Sequence, residues 1–508
     1  MQAGQSSGAP GHTLSSKQPM QQPDVSGEGP ASSGPDLIAS PAGLGATRAS
    51  AEHRFLFNVN LVFISQIAIY GLAFGLRVVF ARALGDSGFG TYSLFFITVI
   101  VSGGVANLGV GLGNIYFLGK GDYSYDVLFS GSIFVWGVTS LVTWLVLAAY
   151  AALFGPQLFV SGSAYWLYAA ALPAVVAYVL LTSLLHGSSR FFALSSVAVV
   201  QGGAALLAAT AFAALSHLTV SRGALVWTGS FVVADLVALL LVGVRRIRVS
   251  AFVQADSGVL LKQIRYGAQG QVANLAQLFN YRLDQFLVAA FVSRAGVGHY
   301  TVAVGLAESV WWISSAVALV LLPRLTSLER EQADEVTPVI SRNTVAVSIL
   351  AALVLIAVAW PVIRIVFGRE YDAALLPFIL LMPGIIAASG MRVLASYLFS
   401  RGRVIYNTYA TFIALGVTLA LDLVLIRWLG VPGAAIASSI AYTASFLAIL
   451  FWYRSVSGGS LVEALLVQRD DIDLYAGFAR RLLRRQNMRR STPGPAEPFA
   501  EDQPDKDG

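Results

Sequence analysis

Three arginines lie within long apolar stretches of the sequence, namely Arg77, Arg282 and Arg392. An ionised side chain at membrane depth costs about 2.5 to 3.5 kcal/mol on insertion scales, so each needs a partner, water or a ligand. The guanidinium group is planar and donates two hydrogen bonds at once to phosphate or carboxylate oxygens. These three residues therefore predict a cationic cavity that receives an anionic diphosphate or an acidic sugar.

Uncharged polar residues recur at helical spacing beside these arginines. The stretch 266–292 carries a polar stripe, which does not face lipid. Residues two apart on a helix do not face one another, so Arg282 and Asp284 each look to another helix or to water. A structural ion pair with a neighbouring helix is the alternative for both. The predicted cavity wall comprises, besides the arginines, Gln66, Tyr70, Asn107, Asn274, Gln277, Tyr281, Gln285 and Trp312.

Four carboxylates also lie in apolar stretches. Asp284 and Glu308 are candidates for coupling transport to a proton or a sodium ion. Asp235, with Thr228, and Asp422 are instead expected to belong to local hydrogen-bond networks. The sequence has no cysteine and its five histidines are scattered, so we predict no metal site, no cofactor and no catalytic residues.

The composition requires a membrane around these residues. With 56% hydrophobic residues, 12% charged residues and a mean hydropathy of +0.69, the chain is unlike soluble domains, which carry about 25% charge. Twelve stretches are long enough to cross a hydrocarbon core of about 30 Å as helices. The predicted fold is all-α and integral to the membrane. The spans lie near 57–81, 91–118, 127–153, 164–186, 193–215, 223–244, 266–292, 299–322, 342–367, 374–400, 405–428 and 434–454.

Basic residues fall mainly on one side of this twelve-span topology. By the positive-inside rule, both termini are then cytoplasmic, and the net charge of +6 needs no nucleic-acid partner. We predict five regions. They are a disordered cytoplasmic tail (1–52), an N-lobe with spans 1–6 (53–248), an interfacial linker (249–263), a C-lobe with spans 7–12 (264–455), and a basic amphipathic segment with a disordered acidic tail (456–508).

A short pattern occurs twice, at Gly88-Phe89-Gly90-Thr91-Tyr92 and at Gly296-Val297-Gly298-His299-Tyr300. Each copy lies between two spans, which indicates a duplication of six spans and hence a parallel repeat. The glycines are expected to allow a tight connection between spans. The repeat aligns Gln66 and Arg77 with Asn274 and Gln285, so the equivalent faces of the two lobes should line one shared central cavity.

The chain resembles the polysaccharide transporter family, the Wzx-type O-antigen flippases of the MATE-like (MOP) flippase superfamily. The resemblance covers residues 53–455. Its motifs are Leu84-Gly85-Asp86-Ser87-Gly88-Phe89-Gly90-Thr91-Tyr92, Asp284-Gln285-Phe286-Leu287, Gly296-Val297-Gly298-His299-Tyr300, Leu322-Pro323-Arg324-Leu325 and Gly430-Val431-Pro432-Gly433-Ala434-Ala435.

The resemblance implies a multi-pass protein of the inner membrane that is not an enzyme. It implies the flipping of an oligosaccharide linked to undecaprenyl diphosphate, by alternating access between two six-helix lobes. The implied partners are this lipid-linked oligosaccharide, membrane lipids, and a polymerase or glycosyltransferases of the same pathway.

Two other functions compete with this prediction. A MATE-type drug or cation antiporter would favour an acidic and aromatic cavity, which Glu308, Trp311 and Trp312 permit but the arginines oppose. A membrane glycosyltransferase or polymerase is disfavoured because the external loops are short and the sequence has no paired-carboxylate motif.

Overall fold

In the computed structural model, the described residues are 41–215, 217–243, 256–468 and 471, and almost all of them are helical. The apolar stretches predicted from the sequence form the helices, which end mostly at glycine or polar turns. The helices are α1 (Pro41–Ala106), α2 (Val110–Lys120), α3 (Tyr125–Phe154), α4 (Leu167–Gly187), α5 (Phe191–Leu215), α6 (Val220–Val242), α7 (Ser257–Phe291), α8 (Arg294–Ala307), α9 (Trp311–Ser327), α10 (Arg330–Val362), α11 (Leu375–Ser400), α12 (Val404–Leu429), α13 (Val431–Ser457) and α14 (Leu461–Leu465).

Helix α1 contains two of the predicted spans. At Gly85 the backbone leaves helical geometry with φ of +68° and ψ of 174°, a conformation that glycine adopts at little cost. The second half of α1 ends at Ala106, and Leu108 and Gly109 both have positive φ before α2 begins. The second predicted span is therefore broken in the middle, and this break has consequences for the site.

Ten helices of the described chain are long and apolar enough to cross a membrane. One of the ten holds both halves of α1 beyond Ile64, and the 35-residue helix α7 is too polar to be counted among them. These two facts account for the difference from the twelve expected spans. An all-helical, multi-pass membrane protein is thus confirmed, whereas twelve crossings and cytoplasmic termini stay predictions.

The outer surface of the bundle is apolar. Large side chains such as Trp144, Leu207, Leu353 and Trp428 are more than half exposed. A surface with so many exposed apolar side chains is typical of contact with lipid rather than water.

The chain divides after Leu56 into two units, and the second contains the helical bundle. In the N-terminal half, α4 packs against α2, α3 and α6, and α5 packs against α6. In the C-terminal half, α11 and α12 both pack against α13, while α9 and α10 pack against α11. Helix α7 packs against α12 of its own half and against α2 and α3 of the other. Polar residues of α7 are therefore placed between the halves.

The predicted terminal and linker regions are only partly described. Residues 41–52 belong to the first part of α1, where Pro41 suits the first turn of a helix, and the division into five regions stays a prediction. Residues 1–40 and 244–255 lie outside the described residues, as does 472–508 with most of the predicted amphipathic segment. The described linker residues from Ser257 belong to α7, whose N-cap Asp256 accepts hydrogen bonds from the amides of Gly258 and Val259.

Candidate functional site

Two of the three predicted arginines, Arg77 and Arg282, line one cavity of about 330 Å³ between the halves of the bundle. Arg77 comes from the first half of α1 and Arg282 from α7. Gln201 on α5 and Trp227 on α6 complete the N-terminal side of this arginine cavity. The cavity is thus walled by both lobes and carries two guanidinium groups.

Arg77 lies against a glycine of the opposite lobe. A Cβ atom added to Gly305 on α8 would lie 1.9 Å from a terminal nitrogen of Arg77. No side chain larger than hydrogen fits there while the guanidinium keeps its place. The charges of Glu308 and Arg282 both act on Arg77. Gly305 therefore makes the space that brings Arg77 next to the charged residues of the other lobe.

Arg282 forms an ion pair with Glu308, at 3.2 Å between Nη1 and Oε1. Their side chains are 24% and 19% exposed, so the pair borders the cavity rather than lying in the packed core. Helix α8 ends at Ala307, and a turn of 3-10 helix spans Glu308–Val310 before α9 begins. This break in the helix directs Glu308 toward α7. Because Glu308 neutralises Arg282, Arg77 supplies the excess positive charge among these three groups.

Gln285 lies on the same wall, one helical turn from Arg282. It is buried, and its side-chain oxygen accepts a hydrogen bond of 3.1 Å from the hydroxyl of Thr301 on α8. This bond leaves the amide nitrogen of Gln285 as a donor beside the arginines.

Asn107 and Asn274 do not lie in the arginine cavity. They line a second cavity of about 390 Å³ with Gly111 and Gln271. Ile100 borders both cavities, and Gln271 donates a hydrogen bond of 2.7 Å to the carbonyl of Gly104. The single central cavity expected from the duplication is therefore divided in two, because this hydrogen bond and the packing around Ile100 bring α1 against α7.

The aromatic residues of the predicted wall pack on one another. Tyr70 and Trp312 stack across the lobes, with ring centroids 5.0 Å apart and planes within 9°. Tyr281 is packed near Trp311 at 5.2 Å. The guanidinium carbon of Arg392 lies 4.8 Å from the centroid of Trp311. Arg392 therefore borders this aromatic cluster and does not line the arginine cavity.

Two predicted amides of the cavity wall lie elsewhere. Gln277 accepts a hydrogen bond of 3.1 Å from Thr411 on α12 and so joins two helices of the C-terminal half. Gln66 is exposed near the start of the described side chains of α1 and lines neither cavity.

Asp284 belongs to a buried polar cluster that faces α8 and α13. Its carboxylate accepts hydrogen bonds from the hydroxyl of Tyr300, at 2.5 Å, and from Ser438, at 3.2 Å. Asp422 on α12 is fully buried nearby, and the charges of the two carboxylates act on each other. Asp284 thus has its hydrogen-bond partners on other helices, as the spacing of Arg282 and Asp284 on one helix led us to expect.

Within the described residues, three of the four carboxylate oxygens of the other two aspartates lack the hydrogen bonds expected for them. Among the described residues, neither carboxylate oxygen of Asp422 has a hydrogen-bond partner, because Thr418 donates to Asn280 instead. Within the same described part of the chain, Oδ1 of Asp235 and the hydroxyl of Thr228 are also buried without partners. Both predictions are therefore wrong for these atoms.

The duplicated glycine motifs meet at one end of the bundle. A Cβ atom on Gly90 would lie 1.8 Å from the carbonyl oxygen of Arg294, and one on Gly298 would lie 2.2 Å from the carbonyl oxygen of Asp86. His299 lies 3.3 Å from the carboxylate of Asp86. We call these contacts, made by Gly90, Gly298 and His299 with Arg294 and Asp86, the glycine clasp. The glycine clasp joins the two lobes beside the arginine cavity.

Two further hydrogen bonds hold the lobes together near the glycine clasp. Tyr371 donates from its hydroxyl to the carbonyl of Ala81 at 3.0 Å. Arg82 donates from Nε to the carbonyl of Val366 at 2.8 Å. Both use backbone acceptors of the opposite lobe.

A second contact joins the lobes at the other end, beside the cavity of Asn107. A Cβ atom on Gly267 would lie 1.9 Å from the carbonyl oxygen of Gly109, at the break before α2. Gln263 donates a hydrogen bond of 2.7 Å to Asn114, which in turn donates to Ser132 and Ser183. The lobes therefore meet in two places, one beside the arginine cavity and one beside the cavity of Asn107.

The sequence matches the family model described as polysaccharide biosynthesis protein over residues 79–376, more than half of the chain. The chain belongs to this family. The resemblance to the polysaccharide transporter family, which the motifs indicated, is thereby confirmed. A relative from Haloferax volcanii, the probable low-salt glycan biosynthesis flippase Agl15, is 23% identical over 216 residues, which are 40% of this chain and 46% of that protein. The match thus spans about half the length of this curated relative.

Solved transporters share the fold of this family member. The lipid II flippase MurJ, in an inward closed conformation, matches with a TM-score of 0.64 and 15% identity, over 80% of this chain and 89% of its own. The eukaryotic MATE transporter AtDTX14 matches with a TM-score of 0.56 and 14% identity, over 81% and 97% of the two chains. The Vibrio cholerae MATE transporter VcmN, in the bent form, matches with a TM-score of 0.52 and 14% identity, over 80% of this chain and 99% of its own. The MATE-like fold is therefore confirmed.

Proposed function

We propose that this protein flips an oligosaccharide linked to a lipid diphosphate, such as undecaprenyl diphosphate, across the cytoplasmic membrane by alternating access. The family match and the relatives named as flippases support a lipid-linked substrate. The observation that carries the proposal is the arginine cavity, in which Arg77 and Arg282 face the same space from opposite lobes.

The charges in this cavity suit an anion that arrives and leaves. Glu308 neutralises Arg282 when no substrate is bound, and a phosphate group entering the cavity competes with Glu308 for the same guanidinium. Arg77 supplies the unbalanced positive charge that attracts the anion. Since Arg282 exchanges one anionic partner for another, it is never left unpaired at membrane depth.

The two lobe contacts suit alternating access. The glycine clasp lies just beyond the end of α7, and the contact between Gly109 and Gly267 lies near the beginning of α7. Opening either contact while the other stays closed would expose the cavities to one side of the membrane. The lipid tail would remain outside, between the lobes, while the phosphates and sugars pass through the polar interior.

The membrane potential contributes to the driving force. Moving a doubly charged diphosphate outward across an inside-negative membrane releases about 2.3 kcal/mol per charge per 100 mV. A proton or sodium ion supplies further coupling in this proposal. Asp284, with Asp422 in electrostatic reach, and Glu308 are the residues that would exchange it.

The test measures flipping of a fluorescent lipid diphosphate in vesicles that contain purified protein. We expect Arg77→Ala and Arg282→Ala to reduce the flipping rate by about tenfold or more, since each loses a charge-assisted hydrogen bond of about 1.5 to 3 kcal/mol. The matched control is Arg427→Ala, because Arg427 is exposed and lies over Phe291, away from the cavity. Native flipping rates in correctly inserted Arg77 and Arg282 variants would refute the cavity's role.

A MATE-type antiporter for cationic drugs is the alternative, supported by the aromatic cluster around Trp311 and by the shared fold. It is disfavoured because the acid nearest the cavity, Glu308, is already paired with Arg282. Efflux of cationic dyes that depends on Glu308 would favour this alternative, whereas accumulation of lipid-linked sugar in a deletion strain would favour the flippase.

A further inference from the structure

A separate basic pocket of about 350 Å³ lies at one end of the C-terminal half and shares no lining residue with the arginine cavity. It opens where α9 and α11 end and where α10 and α12 begin. Its wall consists of Arg330, Arg401, Arg403, Tyr406, Ser455 and Val456. Three guanidinium groups thus surround one small space that the proposed transport path does not use.

The fixed contacts of these arginines leave donors for a ligand. Arg330 donates to the carbonyl of Val456 at 2.6 Å and lies 3.8 Å from Asp334. Arg401 donates from one terminal nitrogen to the carbonyls of Leu325 and Leu328. Its Nε is buried without a hydrogen-bond partner among the described residues. A buried guanidinium donor of this kind requires an acceptor, and the pocket is where one would lie.

The balance of charge in the pocket favours an anion. Asp334 also accepts a hydrogen bond from the hydroxyl of Tyr397, and it offsets only one of the three positive charges. Arg403 is exposed at the start of α12. The pocket therefore has two positive charges in excess and a planar donor set that suits phosphate oxygens.

The surroundings of the pocket indicate that this phosphate belongs to a lipid. Tyr406 stacks on Trp452, with centroids 5.1 Å apart and planes within 10°, and such pairs of amphipathic rings are typical of the membrane interface. The neighbouring side chains of Val404, Ile405 and Phe451 are 42%, 51% and 66% exposed. Acyl chains can lie along this apolar surface while the headgroup enters the pocket.

We propose that this pocket binds the phosphate of an anionic membrane lipid, such as phosphatidylglycerol, separately from the transported substrate. In the predicted topology the pocket faces the cytoplasmic leaflet, which is rich in anionic lipid. The bound headgroup accepts hydrogen bonds from Arg401 and Arg403 and joins the ends of α10, α11 and α12.

The experiment titrates full-length protein in detergent with phosphatidylglycerol, with phosphatidylcholine as the neutral probe, and follows the melting temperature. We expect a saturable rise with phosphatidylglycerol and no rise with phosphatidylcholine. Arg403→Gln should weaken the apparent affinity by about fivefold, the expected loss for one basic residue at a membrane surface. Arg324→Gln is the matched control, since Arg324 is exposed in the last turn of α9 but does not line the pocket.

Arg401→Gln tests the buried donor, but it also removes hydrogen bonds to the end of α9 and so lowers stability by itself. The decisive comparison is therefore Arg403→Gln with Arg324→Gln. Equal responses of these two variants to phosphatidylglycerol would overturn the proposal. An arginine-dependent rise with inorganic phosphate and none with phosphatidylglycerol would also overturn it, in favour of a free anion.

The acidic end of the chain itself is the remaining competitor. Residues 491–508 contain several aspartates and glutamates. If their removal is needed before phosphatidylglycerol raises the melting temperature, the tail occupies the pocket and the lipid assignment is wrong. A full response in the intact chain supports the lipid.

Discussion

Gly90 and Gly298, equivalent glycines of the two halves, meet backbone to backbone where the lobes close. A Cβ atom on Gly90 would lie 2.9 Å from the amide nitrogen of Gly298, closer than real Cβ atoms approach such a group. The motif that reveals the duplication thus also joins its two copies. This contact lies beside the arginine cavity and forms the core of the glycine clasp.

A methyl group at either glycine should prevent the clasp from closing. Gly90→Ala and Gly298→Ala are expected to destabilise the closed arrangement by about 1 to 3 kcal/mol, the usual cost of overpacking. The closed population then falls roughly 5- to 150-fold. The measurement is the yield of a disulfide between cysteines introduced on the two sides of the clasp, in a chain that has no native cysteine.

Gly203→Ala is the matched control for the clasp, since a Cβ atom there meets nothing within 4 Å. Unchanged crosslinking in the Gly90 and Gly298 variants would show that the clasp does not depend on these glycines.

The space that Gly305 leaves for Arg77 gives a second prediction. Gly305→Ala should displace the Arg77 guanidinium without removing its charge, because the new Cβ atom would overlap it. We expect Gly305→Ala to reduce flipping of a lipid diphosphate about as much as Arg77→Gln does, and the double variant to be no worse than either single one. Flipping assays on the three variants test this, and additive losses would contradict it.

Asp422 provides a test of ion coupling. Its carboxylate is fully buried, has no hydrogen-bond partner among the described residues and lies in reach of the charge on Asp284. Asp422→Asn keeps the volume and removes the repulsion, so we expect a melting temperature equal to or above that of the parent chain. If the pair exchanges a coupling ion, flipping in this variant should no longer respond to an imposed proton or sodium gradient.

Asn280→Ala is a useful control for Asp422→Asn, because it removes the neighbouring hydrogen bond with Thr418 and keeps both carboxylates. A gradient response that survives in Asp422→Asn and disappears in Asn280→Ala would place the coupling elsewhere.

The segment after α13 offers a prediction about pH. Arg342 donates two hydrogen bonds to Asp471, at 2.5 and 3.0 Å, and thereby holds the pKa of this carboxyl below its ordinary value of 3.8. Since the folded pKa is lowered, the stabilisation is complete above pH 3.8 and is lost as the pH falls through the folded value. The protection factor of the amides in Leu461–Leu465, which is the exchange rate corrected for its intrinsic dependence on pH, should therefore be constant from pH 8 to about 5 and lower in Asp471→Asn.

Glu335→Gln is the corresponding control for the pH prediction, because it removes a carboxylate from an exposed position of α10 and keeps the ion pair of Arg342 with Asp471. Equal protection of Leu461–Leu465 in Asp471→Asn and in the parent chain would show that the ion pair does not hold this segment.

Much of the architecture could be predicted because apolar length and duplication are properties of the sequence alone. Span positions followed from runs of apolar residues, and the paired glycine motifs indicated two similar halves. The partner of Arg282 was harder to predict. The position of Arg282 at the edge of the polar stripe on α7 indicated only that its partner lies on another helix. The 3-10 turn that begins at Glu308 places this residue as the partner.

The division of the cavity was not predictable from the duplication. The repeat aligned faces of helices, but it held no information on how the lobes are rotated against each other. The contact between Gly109 and Gly267, together with the hydrogen bond from Gln271 to Gly104, depends on that rotation. The positive φ of Leu108 before Gly109 has no signal in the apolar pattern, because Leu108 continues an apolar run. Gly109, in the middle of the predicted span 91–118, was the sequence feature that could have indicated the break.

The closing surface at the glycine clasp consists mainly of backbone atoms, namely carbonyl oxygens, amide groups and glycine Cα atoms. The arginine cavity beside it is lined by side chains, so the surface that closes and the surface that would contact a ligand are made of different groups. The backbone contacts of the clasp can separate without a change of rotamer, whereas the contact of His299 with Asp86 involves side chains. Under the proposed function, substitutions around Arg77 and Arg282 would therefore change the lining of the cavity and leave this backbone surface intact.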